Sequence, residues 1–101
     1  MIGNFKQPRK IDPDSDTLAL TALAWLAGEE DLFLRFMALS GMTTDQVAAV
    51  ASEPGFLGGV LDFLMGNETD LLRFSAESGI RPEAIAAAWH KLNGGLDSGE
   101  Y

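Results

Sequence analysis

A chain that repeats itself must fold so that both copies are satisfied, and this one repeats at an offset of 38 residues. Laid without a gap over residues 54–91, residues 16–53 give identical pairs at Leu23/Leu61, Leu26/Leu64, Gly28/Gly66, Glu30/Glu68, Leu34/Leu72, Arg35/Arg73, Phe36/Phe74, Ala38/Ala76, Ser40/Ser78, Gly41/Gly79, Ala48/Ala86 and Ala49/Ala87. Met42/Ile80, Trp25/Phe63, Asp45/Glu83 and Val47/Ile85 are conservative replacements. Leucine and alanine matches arise by chance in helical sequences, but two glycines and a Leu-Arg-Phe triplet in one register do not. A period of this size marks a helical supersecondary unit.

Each copy is punctuated as three helices. Asp14, Ser15 and Asp16 are capping residues before the apolar run Thr17 to Ala27, and Gly28 follows it. Glu29, Glu30 and Asp31 place negative charge on the first turn of a second helix, which runs to Ser40 and stops at Gly41. Thr43 with Gln46 is a capping-box pattern opening a short third helix, Thr44 to about Ser52. The same grammar predicts a fourth helix from about Gly55 to Met65, a fifth capped by Asn67 and ending at Ser78-Gly79, and a sixth with Pro82 in its first turn, ending at Asn93-Gly94-Gly95. The predicted fold is all-α: a compact six-helix bundle of two tandem three-helix units, 16–53 and 54–91, related by pseudo-twofold symmetry. Residues 1–15 read as a flexible arm, 16–93 as a single domain and 94–101 as a disordered acidic tail.

Helices one and four are apolar around most of their circumference, which predicts that protein surrounds them. One triplet has too few helices to enclose such an element, so the two copies are expected to bury helices one and four against each other. Gly58-Gly59 would let a neighbouring backbone approach closely, at a helix-propensity cost of about 1 kcal/mol each. Trp25, Leu26, Phe33, Phe36, Phe63, Leu64, Leu71 and Phe74 are the expected core.

With 101 residues, 47% of them hydrophobic, the chain suffices for one domain and not for two independent cores. It has no cysteine, which excludes disulfides and thiolate metal sites and points to a reducing cytoplasm. No apolar run approaches the roughly 18 residues of a membrane span, and no h-region follows Lys6, Arg9 and Lys10. The net charge is -8, and residues 16–92 carry four bases against eleven acids, so the body repels phosphate backbones.

The strings Ala24-Trp25-Leu26-Ala27, Arg35 to Gly41, Glu53 to Leu64 and Gly79 to Ile85 resemble a family of short alphaproteobacterial proteins catalogued as domain of unknown function 3572. The resemblance covers about residues 16–93. It implies a bacterial cytoplasmic protein and brings no activity, cofactor or catalytic residue.

The candidates for chemistry thin out under inspection. Asp12 to Asp16 imitates the opening of a calcium loop, yet its sixth position is Thr17 instead of Gly and its twelfth is Leu23 instead of Glu. His90 is the single histidine and lacks metal-ligating company. The acids Glu29, Glu30, Asp31, Glu68 and Asp70 are accounted for by helix N-termini. No glycine-rich phosphate loop and no nucleophile with a partner base is indicated, so no catalytic, cofactor or metal residue is assigned.

Four residues remain as interaction candidates: Arg35, Arg73, Met42 and Trp89. The arginines occupy equivalent positions and are expected to pair with Glu30 or Glu68 of the other copy rather than with a ligand. Met42 and Trp89, with Met37 and the alanine faces of helices three and six, are expected to form an apolar patch or else to cap the core. Helices two and three, and five and six, have a helix-turn-helix outline, but Thr44 to Ser52 offers base edges only Gln46 beside Asp45 and alanines. The functional reading, in declining order, is a non-catalytic protein-interaction module working with an unidentified partner or as a homodimer, a regulatory helix-turn-helix protein associated with nucleic acid, and a small-ligand carrier or enzyme.

Overall fold

The computed structural model describes residues 13–94, which form six helices: α1 (Ser15–Ala27), α2 (Glu30–Ser40), α3 (Thr44–Val50), α4 (Pro54–Met65), α5 (Glu68–Ser78) and α6 (Pro82–Leu92). The expected arm and tail lie outside the described residues, apart from their inner ends. Of the arm, Asp14 and Ser15 belong to the helix: Asp14 is the N-cap of α1, its side chain accepting the Thr17 backbone N–H at 2.8 Å.

The helix ends follow the sequence chemistry closely. Thr43 and Gln46 form both bonds of the capping box. Asn67 caps α5 through the Asp70 backbone N–H. Gly41 and Gly79 take φ of 74° and 78°, a left-handed conformation that a Cβ would oppose, and their N–H groups close α2 and α5 onto Met37 and Ser75. α3 is shorter than expected, ending at Val50, because Ala51 and Ser52 form a turn ahead of Pro54.

The core is shared by α1, α4 and α6. α1 packs on α4, and α6 lies against both. Leu18, Ala19, Ala22 and Leu26 of α1, Leu57, Val60, Leu61 and Leu64 of α4 and Ile85 and Ala88 of α6 are buried together. α2 and α5 flank this trio, α2 on α1 and α5 on α4 and α6. The centre therefore holds a third helix beyond the expected pair, since the small residues along α6 let it sit against both.

Three details correct the expectation. α1 is not surrounded: Leu20, Thr21, Ala24 and Ala27 face outward, their mostly small or polar side chains making that exposure cheap. Of the expected core residues, Leu26, Phe36, Leu64 and Phe74 are buried, whereas Trp25, Phe33, Phe63 and Leu71 are half-buried around the rim. Only the first of the paired glycines makes a close approach. A Cβ on Gly58 would come within 3.0 Å of the Leu92 carbonyl oxygen, while one on Gly59 would meet nothing within 4 Å.

Candidate functional site

α2 and α4 diverge where Gly59 contributes no side chain, leaving an open groove of about 380 Å3. Phe36, Leu39, Met42, Phe56 and Phe63 supply its apolar walls, with Gly55, Gly59, Ser40 and Asp62 completing the lining. A second depression of about 260 Å3 shares Leu39, Asp62 and Phe63 and continues to Arg35, Gly66 and Asn67. The walls are rigid aromatics: Phe36 meets Phe56 and Phe63 edge-on, at centroid separations of 5.8 and 5.4 Å. Leu39 stands at the lip with 73% of its surface exposed, the highest value among the large apolar residues left in water.

The charges around the groove are disposed unequally. Arg35 lies over the Phe63 ring at 5.4 Å and donates to Asp70 at 2.5 Å, reaching from the first copy into the second. Asp70 is buried in the N-terminal turn of α5, so its charge is met by both the guanidinium and the helix terminus. Asp62 lies exposed along the groove and accepts one hydrogen bond, from Nε1–H of Trp89 at 3.1 Å; among the described residues its Oδ2 takes none.

At the positions one repeat away the same framework is filled. Arg73 lies over Trp25 at 5.4 Å, and Trp25 packs on Phe74 at 5.4 Å, matching the Arg35, Phe63 and Phe36 arrangement. There, however, Trp25 Nε1–H donates to Glu77 at 2.7 Å, and Leu18 and Ile80, the counterparts of Phe56 and Met42, are buried. Arg73 donates to Glu29 at 2.7 Å and lies 3.8 Å from Glu77. The bond to Glu29 raises the pKa of the guanidinium.

The structure thus brings Arg35, Met42 and, through Asp62, Trp89 to one groove, and sets Arg73 at the filled counterpart. One expectation is corrected. The partners of the arginines are Asp70 and Glu29, not Glu68 and Glu30. Of the alanine faces, Ala88 of α6 is buried, Ala84 and Ala86 are half-buried and Ala87 is exposed, while Ala48 and Ala49 of α3 are exposed. Met37 and Met42 are themselves half-buried. Leu39, Phe56, Gly59 and Asp62 went unassigned, although the sequence does mark all four: Leu39/Glu77, Phe56/Leu18, Gly59/Thr21 and Asp62/Ala24 are places where the two copies disagree. Among the described residues no three His, Cys, Asp or Glu side chains converge as a metal site, His90 is exposed, and no single helix is long and apolar enough to cross a membrane.

Fold and site together define a small helical bundle with an apolar groove open between α2 and α4. The chain belongs to the family described as protein of unknown function (DUF3572), which it matches over residues 12–95. Neither the curated proteins nor the solved structures contain a match.

Proposed function

We propose that this chain is a non-catalytic protein-interaction module of the cytoplasm, a pseudo-twofold bundle made by tandem duplication, in which the α2–α4 groove between the copies stays open for the apolar side chains of a partner. The groove itself carries the reading: five large apolar side chains line about 380 Å3, at the lower end of the range for ligand sites, with Leu39 held out in water at its lip. Catalysis would require convergent polar groups, and Asp62 is the one titratable side chain in that lining. The duplication is supported by the repeated Arg-over-aromatic stacking at 5.4 Å in both copies, and the cytoplasmic setting by the lack of cysteine. The helix-turn-helix alternative has less support, because α3 exposes Thr44, Asp45, Gln46, Ala48 and Ala49 within an acidic body.

Photo-crosslinking in the native cell tests the proposal. p-Benzoylphenylalanine at position 39 should give a discrete heavier adduct, and Gly59→Met, which fills the groove from its floor, should suppress it. The same probe at Leu72, exposed on α5, should not give that adduct. Adducts identical at the two positions, or unaffected by Gly59→Met, would count against a groove-borne interaction.

A further inference from the structure

We infer that the occupant of the α2–α4 groove is a cationic amphipathic helix of another protein, presenting apolar side chains at i and i+3 or i+4 and a lysine or arginine that reaches Asp62. The inference rests on the groove reading above and adds the chemistry of the partner. Three observations select it. The groove is open along one side and continues into a second depression, which suits consecutive side chains of a helix better than an enclosed small molecule. Its two depressions share Asp62, whose Oδ2 accepts no hydrogen bond among the described residues. Arg35, the neighbouring cation, is paired with buried Asp70 and makes no ion pair with Asp62.

The charge of the whole chain then decides between occupants. Residues 16–92 carry four bases against eleven acids, so an acidic peptide or a second copy of this chain would approach against repulsion, whereas a cationic segment is drawn in. Since specificity requires rejecting wrong partners as well as attracting the right one, a single carboxylate in an apolar groove on an acidic body selects strongly by sign.

The test uses the full chain, nitrogen-15 labelled, and two synthetic sixteen-residue helical peptides of leucine, alanine and lysine, the second with every lysine replaced by glutamate. The lysine peptide should shift the amide signals of Leu39, Met42, Phe56, Gly59 and Phe63 and bind more weakly as salt rises. Gly59→Met should abolish those shifts without lowering thermal stability, because a side chain at position 59 projects into open space. Asp62→Asn keeps an acceptor for Trp89 and should weaken the lysine peptide about fivefold, the upper end for one exposed ion pair, while leaving the melting temperature unchanged. The glutamate peptide should leave the spectrum unmoved.

Equal binding of both peptides, blocked by Gly59→Met, would overturn the cationic partner and leave the groove standing. Failure of both to move groove signals at millimolar concentration would overturn groove and partner together. Groove signals that shift with protein concentration alone would assign the site to a second copy. Groove signals that shift in the peptide-free protein when Lys6, Arg9 and Lys10 are changed to Ser would assign it to the N-terminal segment; either result overturns the proposal.

Discussion

The Arg35 and Arg73 sites are built on one plan and end in opposite states. In both, a guanidinium from the second helix of one triplet lies 5.4 Å over an aromatic ring on the first helix of the other triplet, and that ring packs on the phenylalanine next to the arginine. At Arg73 the ring is an indole, and its N–H finds Glu77, which ties α1 to α5. At Arg35 the corresponding residues are Phe63 and Leu39, which have no polar atoms to join, while Gly59 replaces Thr21 below them. The groove therefore opens without any change of backbone plan. Two sites on one plan let a few residue differences leave one structural and open the other into a surface with room in it.

Burial separates the two sites most sharply, and truncation is the largest lever on that difference. Phe74 is fully buried, whereas Phe36 has the groove beside it. Phe74→Ala should cost about 3–5 kcal/mol in urea unfolding, and Phe36→Ala should fall at or below the lower end of that range, since part of the space next to it is already open. A larger loss at Phe36 would mean that the groove is closed in solution.

The second lever is the ion pair. Asp70 stands at the position that Leu32 holds in the first triplet, so a buried carboxylate sits where an apolar residue would fit, and it is paired with Arg35. Arg35→Met alone should cost about 1–3 kcal/mol, because it strands a buried acceptor, discounted for the 47% exposure of the arginine. Adding Asp70→Leu restores the residue type of the other copy and should return stability to within about 1 kcal/mol of the parent, or above it. A double variant as unstable as the single one would show that the pair positions α5 in some way that apolar packing does not replace. Arg73→Met should cost less than Arg35→Met, as Glu29 and Glu77 both reach water.

The paired glycines give a smaller contrast within one helix. Gly58 faces the end of α6, where its carbonyl accepts Nδ2–H of Asn93 at 3.0 Å and an added methyl would press on the Leu92 carbonyl. Gly59 faces the groove. Gly59→Ala should therefore stabilise the chain by about 0.5–1 kcal/mol through helix propensity, and Gly58→Ala should destabilise it by a similar amount despite the same propensity gain. Equal shifts in melting temperature would remove the distinction between a packed and an open face of α4.

How much of this was legible depends on whether a feature is local. Caps, glycine stops and apolar runs act within a few residues, which is why Asp14, Thr43 with Gln46, Gly41 and Gly79 locate helix ends from sequence. The core trio was only half legible: α1 and α4 announce themselves by composition, but the role of α6 depends on how closely Ala84, Ala86 and Ala88 let it approach, which is tertiary information. Arginine partners were misplaced by one or two positions for the same reason. Identical residues across the copies drew attention to Arg35 and Arg73, yet the groove is written in the differences, and a difference becomes readable only when its counterpart is known to be filled.

The smallest effect concerns the two N-termini that open the copies. α1 begins with Asp14, whose carboxylate accepts the Thr17 N–H, and this bond holds its pKa below the ordinary carboxylate value. α4 begins with Glu53 and Pro54 and has no side-chain cap bond. Since the folded Asp14 carboxyl titrates below the unfolded one, its contribution is complete above the unfolded value, at neutral pH included, and is lost as pH falls through the folded value. Acid should therefore loosen the first turn of α1 by a route that α4 lacks. Followed by amide chemical shifts, Thr17 should titrate with a midpoint below that of an ordinary aspartate, while Leu57, bonded to the Glu53 backbone carbonyl, should not share that transition. Asp14→Ala should erase the Thr17 titration and leave Leu57 as it was. A Thr17 midpoint at or above the ordinary value would show that the cap bond is not held in solution, and the two helix starts would then differ in sequence but not in how they are secured.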